Sequence, residues 1–270
     1  MPKTKSDFPT LLALSAFSLI LAIALHEHGG HALTCALLGG HLNELGAFYV
    51  DCDYASVTSL GYRFVALNGP LASLVAGLIS MFFLDRTARS NSQLKYFLWH
   101  FATVNLMIAT GYFMFSGIMG IGDFGLDQYG VFHQAQPEWL YRVGMTVIGM
   151  ALYFGVVFFS MRKMDSFIGG EGVERVNRAQ MLSLTSYLTG GLVAVLIGFL
   201  NPHGIIIVLI SSVASCLGGT SGLAWMMQML NRKKVGGDAP FVIEKSWAWI
   251  GVSVVFLVIY AIVLGPTIFL

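Results

Sequence analysis

Leu21-Ala22-Ile23-Ala24-Leu25-His26-Glu27-His28-Gly29-Gly30-His31-Ala32-Leu33 sets three imidazoles and a carboxylate inside one apolar run. Apolar sequence flanks the cluster on both sides, from Leu11 to Leu25 and from Ala32 to Leu38. A charged group at the centre of a membrane span costs roughly 2.5 kcal/mol or more. Such groups persist where they bind a metal, line a polar cavity or carry a proton.

The rest of the chain supports a membrane setting. Its 270 residues are 56% hydrophobic and only 11% charged, too apolar for an ordinary soluble domain. A helix crosses a bilayer with about 20 apolar residues. Seven stretches qualify: 10–37, 64–84, 96–121, 140–161, 179–200, 204–230 and 247–269. The expected fold class is therefore all-α, a polytopic membrane protein of about seven transmembrane helices. Lys3 and Lys5 before an apolar stretch also fit a signal peptide, but cleavage would remove the cluster, so a retained span is expected.

Charge distribution orients the spans. Lys3, Lys5, Arg86, Arg89, Lys95, Arg162, Lys163, Arg175, Arg178, Arg232, Lys233, Lys234 and Lys245 fall on one side, and only Arg63 and Arg142 on the other. The positive-inside rule then places the amino terminus in the cytoplasm and the carboxyl terminus outside. A net charge of +1 gives no ground for a nucleic-acid partner. The lipid bilayer is the expected surrounding.

No linker, repeat or low-complexity tract divides the chain. Residues 1–125 carry the chemistry, and residues 126–270 add transmembrane helices to the same integral domain. The longest outer connection, His41–Arg63, has some strand character around Phe48, Tyr49 and Val50. Cys35 and Cys216 read as small buried hydrophobes, and Cys52 has no evident loop partner. Gly218-x-x-x-Gly222 matches a small-residue packing pattern, within the chain in preference to a homo-oligomer seam. His100, His133 and His203 read as isolated.

The spacing of the cluster decides its chemistry. A zinc-protease helix, H-E-x-x-H, sets two ligands at i and i+4 on one face, with Glu as general base. His26 and His31 are one residue too far apart. At about 100° per residue, a regular helix turns His26 about 140° from His31, and leaves Glu27 and His28 about 40° and 60° to either side. A π-bulge absorbs one extra residue, and Gly29 and Gly30 leave room for it. The bulge returns His26 to the face of His31, keeps Glu27 as base and makes His28 the inserted residue. In the regular-helix alternative Glu27 ligates and His28 stands beside the metal. A haem site, a proton relay or a set of satisfied core histidines are the remaining readings.

Three segments resemble the site-2 protease family of intramembrane zinc metalloproteases. His26-Glu27 with Gly30-His31-Ala32-Leu33 resembles its H-E-x-G-H-A-L with one insertion. Asn68-Gly69-Pro70-Leu71-Ala72-Ser73 resembles its G-P-L-A-N element, with Ser73 in place of Asn. Asn105-Leu106 through Gly122-Asp123 resembles the third element, without its proline and with Phe124 after the Asp. The six-residue spacing is also similar to the H-E-x-x-G-H of the dipeptidyl peptidase III family. The resemblance covers roughly residues 20–125 and implies a three-helix catalytic core.

It further implies that His26, His31 and Asp123 hold Zn2+, with Glu27 as the catalytic base. Asn68 and Asn105 are candidates for substrate or oxyanion binding, and His28 for an alternative or supporting metal contact. The substrate implied is a membrane protein or peptide. Span order independently brings the three segments to one side of the bilayer, which the charge bias makes the outer side, whereas family sites usually lie near the cytoplasm. Three alternatives remain: an inactive metal-binding relative that binds membrane proteins, a seven-span zinc amidase acting on lipids, and an ion or proton transporter.

Overall fold

A computed structural model describes residues 5–205, 208–230 and 239–270. Lys3, Arg232, Lys233 and Lys234 of the charge count lie outside the described residues. Six helices are long and apolar enough to cross a membrane: α1 (Phe8–Leu37), α2 (Ser59–Arg86), α3 (Ser92–Met119), α4 (Glu138–Phe167), α5 (Gly172–Gly198) and α6 (Trp247–Leu264). Side-chain caps on otherwise unsatisfied amides start several of them. Asp7 accepts from the Thr10 N–H at 3.1 Å, Thr58 from Gly61 at 3.1 Å and Ser246 from Trp249 at 3.4 Å.

Helix α1 is 61% buried over its most apolar window and α3 is 56% buried, whereas α6 is 11% buried. The helix that carries the polar cluster and the helix that leads to Asp123 are thus the centre of the bundle, and α6 shows its apolar sides outward. Leu11, Leu14, Leu19 and Ile20 of α1 pack with Tyr96, Trp99 and Met107 of α3. Hydroxyls inside this core are satisfied locally: Ser15 bonds Tyr96 at 2.8 Å, and Tyr96 bonds Ser186 of α5.

The expected sixth span, 204–230, is not one of the long helices. It comprises a π-helical stretch, Val208–Gly218, one turn of α-helix, Gly222–Trp225, and a 3-10 turn, Met226–Met229. Hydropathy marks the apolar run, but it turns at Thr220–Ser221, just after Gly218 and Gly219, which are poor helix formers. The run still links the two ends of the bundle. His203 Nε2 lies 2.7 Å from Glu44 at one end, and Phe241 donates to the Ile168 carbonyl at 2.8 Å at the other.

A small antiparallel sheet closes the first of these ends, in the order β2-β1-β3, with β1 at His41–Leu45, β2 at Val50–Asp53 and β3 at Ile268–Phe269. Leu42 pairs with Cys52 and Glu44 with Phe269. The strand character read near Tyr49 belongs to this sheet.

Cys35 is not the free buried hydrophobe expected: it forms a disulfide with Cys52, tying the last turn of α1 to β2. Sequence spacing hides the pair because one partner sits in an apolar run. A Cβ on Gly40 would lie 2.8 and 2.9 Å from the two sulfurs, so the turn at this position has room only for glycine. Reduction is expected to lower stability by about 3 kcal/mol for a loop of this length. Denaturation with and without reductant measures this, and a Cys35→Ser/Cys52→Ser protein should not respond to reductant.

Candidate metal centre

The one-residue excess between His26 and His31 is taken up by π-helix over Leu25–Ala32, within an otherwise α-helical α1. This is the accommodation that the spacing and the two glycines predict. Both histidines reach one point. Their Nε2 atoms lie 3.2 Å apart. His28 turns away from that point: its ring centroid lies 6.4 Å from that of Tyr260 on α6, and its Nε2 has no hydrogen-bond partner.

Helix α2 packs on this stretch through glycine. A Cβ on Gly30 would sit 2.5 Å from the Gly69 Cα and 2.7 Å from both the Asn68 carbonyl oxygen and the Gly69 nitrogen. A Cβ on Gly69 would sit 2.3 Å from His31 Nε2 and 2.9 Å from His26 Nε2. The obstacles at Gly30 are backbone atoms, which cannot rotate aside. Gly30→Ala is therefore expected to separate α1 from α2, costing about 1–3 kcal/mol together with metal binding. Thermal unfolding and metal analysis of the purified variant measure both effects.

Asp123 comes from a loop that folds tightly on itself beyond the end of α3. Gly120 ends the helix at φ 79° and Gly122 follows at φ 91°, both in the left-handed region that suits glycine. The Asp123 carbonyl accepts from Val131 at 2.8 Å, and Phe124 N–H donates to Ser116 Oγ at 3.3 Å. The carboxylate lies with Oδ2 3.1 Å from His26 Nε2 and Oδ1 3.5 Å from His31 Nε2. His26, His31 and Asp123 are the group of potential metal ligands that the described residues bring together.

Hydrogen bonding shows how this group is held. His31 Nδ1 lies 2.8 Å from the Val65 carbonyl, which can only accept, so the ring hydrogen is on Nδ1. His26 Nδ1 is 3.2 Å from Ser73 Oγ. Each imidazole is thus fixed through Nδ1 and turns Nε2 inward, the arrangement that holds metal-ligating histidines. Asp123 Oδ2 is buried and faces His26 Nε2 at 3.1 Å. The three ligand atoms lie close enough together to hold one metal ion. Two imidazole nitrogens and a carboxylate oxygen suit a divalent transition-metal ion.

Glu27 is 6% exposed and lines the same cavity as His31 and Asp123. This cavity has a volume of about 670 Å³ and runs from the cluster to the sheet, past Tyr54, Asp51 and Glu44. Glu44 stands at its rim, where the hydrogen bond from His203 holds the Glu44 carboxyl below its ordinary range. His203 and His133 are therefore not isolated; His133 Nδ1 bonds the Asp127 carbonyl at 3.0 Å.

Asn68 donates to the Phe64 carbonyl at 3.0 Å and Asn105 to the Phe101 carbonyl at 2.8 Å, each bonding back to its own helix. Neither is among the residues that line the cavity with Glu27. In their place stands Tyr112 of α3, unmarked in the sequence. Its ring stacks on His26 at 4.8 Å and 15°. It lines the cavity with Glu27 and bonds Ser215 of the π-helical stretch. A tyrosine among Gly111 and Phe113 reads as core; its only signal is a hydroxyl in an apolar run.

Comparison of the chain with protein-family models, with curated proteins and with solved structures finds no match.

Proposed function

We propose that the chain is a membrane-embedded zinc metallopeptidase of the site-2 protease kind, which hydrolyses peptide bonds of membrane or membrane-proximal proteins. The observation that carries the reading is the meeting of His26, His31 and Asp123 beside the Glu27 carboxylate, in a cavity at one end of apolar helices. When bound, Zn2+ polarises a carbonyl and brings the pKa of water to near 7. Glu27 takes the proton of the attacking water on its carboxylate and delivers it to the leaving nitrogen. The Tyr112 hydroxyl, with Ser215 as its neighbour, donates to the oxyanion that develops on the scissile carbonyl. Loss of one such donor costs about 10²–10³ in kcat. Tyr112→Phe should show that loss with its zinc intact, as turnover and metal analysis of one preparation would reveal.

Three features support an outward-facing site on a chain of seven passages, the broken run of 204–230 being the sixth. The sheet end holds the disulfide, which suits an oxidising compartment. The opposite end holds the basic residues, among them Lys163 paired with Asp85 at 2.6 Å. The 201–205 loop and residues 239–243 contact opposite ends. A lipid amidase would call for metal ligands from late helices, but late His203 pairs with Glu44.

Comparing the membrane proteome of cells that express the wild type with that of cells expressing Glu27→Gln tests the peptidase. Intact substrates should accumulate in the variant. An unchanged proteome, with zinc bound, would leave a metal-dependent binding protein.

A further inference from the structure

Gly219 lays its backbone against Gly111 of α3, where a Cβ would lie 3.6 Å from the Gly219 Cα, yet the side-chain positions of Gly218 and Gly219 themselves are open. The small-residue pattern Gly218-x-x-x-Gly222 predicts close helix contact, and Gly222 makes it: a Cβ there would meet Val157 at 2.6 Å and Met107 at 2.8 Å. A Cβ on Gly219 would meet nothing within 4 Å, and one on Gly218 only the Val213 carbonyl at 3.9 Å. Both glycines instead border a pocket of about 220 Å³ between α3 and the π-helical stretch, with Gly111, Tyr112, Phe115 and Ser215.

This pocket adjoins the metal centre. Tyr112 and Ser215 line it and also the cavity that holds Glu27. Apart from these two hydroxyls its lining is apolar side chains and glycine, with no charged residue. On the outer side its wall includes Ile118 and Met119, 52% and 55% exposed on the apolar surface of the bundle.

We infer that this pocket is the subsite for one large aliphatic or aromatic side chain next to the scissile bond of the substrate, a proposal that rests on the peptidase reading. Its lining offers no partner to a polar or charged side chain, which would lose its hydration uncompensated. Its volume falls below the roughly 300–1,000 Å³ that accepts a drug-sized molecule, a size that suits one large side chain. The glycines make that room, and a membrane-spanning substrate supplies such side chains at nearly every position.

The test is activity-free. Zinc-loaded protein in detergent is titrated with two peptidyl hydroxamates that differ only in the side chain beside the metal-binding group, isobutyl against methyl. The isobutyl compound is expected to bind at least about tenfold tighter. Gly219→Leu should erase that difference by filling the pocket, in a place where a Cβ meets no atom. Equal affinities in the wild type overturn the subsite, and so does a preference that survives Gly219→Leu. A decyl compound that binds tighter still would give the pocket to a lipid tail and overturn it too. Failure of every hydroxamate to bind zinc-loaded protein would strike at the metal-centre reading, and the subsite would fall with it.

Discussion

Purified protein is expected to carry about one zinc per chain, and His26→Ala, His31→Ala and Asp123→Ala each to carry none. The three ligand atoms lie within 4.8 Å of one another, and each is held by a different device. The Val65 carbonyl and Ser73 hydroxyl orient the two rings, and the Val131 amide fixes the aspartate's backbone. The described residues offer no fourth protein ligand in the group, so loss of any one leaves two. Glu27→Gln differs: it keeps the shape of a residue that stands beside the metal, so zinc should stay while turnover falls. General-base catalysis contributes about 10²–10⁴, which sets the size of that fall. Elemental analysis of detergent-purified variants reads the first effect. Full zinc in His31→Ala would show that the site is drawn wrongly.

The parts of this site that were legible in the sequence were those with a spacing to violate. Histidines at i and i+5 around a glutamate match no regular helix, and Gly29-Gly30 supplied the means of repair. Gly69 was legible as part of a motif, but its reason appears only in space, where a Cβ would strike both imidazoles. Asp123 carries no local signal, and was reached through the resemblance and the alternation of spans.

What stayed hidden depended on orientation about a helix axis in an apolar setting. An amphipathic soluble helix declares its buried face, but a helix apolar all round does not. Tyr112 and Asn105 lie seven residues apart on α3, so that the sequence gives no ground to choose between them, yet only Tyr112 lines the cavity with Glu27. The asparagines looked chemical because they are polar, and both spend their amide on a carbonyl one turn back. The Cys35 disulfide and the break within 204–230 stay hidden for a related reason. Hydropathy reports the solvent a segment prefers, and is silent on whether a side chain finds a covalent partner or a segment breaks at Thr220-Ser221.

Deleting His28 is expected to preserve zinc binding. The π-helical stretch accommodates a single residue beyond the α-helical register, so removing one restores a regular helix, with the flanking turns facing as before. His26 and His31 would then stand four residues apart, the spacing at which two side chains share one helix face. Glu27 would keep its place after the first histidine, and Gly30 would keep its contact with Gly69. Inserting an alanine after Gly30 should do the opposite. A second extra residue turns the two histidines about 100° further apart, and zinc should be lost although no ligand has been changed. The regular-helix arrangement, in which Glu27, His28 and His31 gather on one side, gives the reverse expectation for the deletion, since it removes one of the three. Zinc content of the deletion protein therefore separates the two arrangements, and a metal-free but folded deletion variant would sink the bulge as the basis of the site.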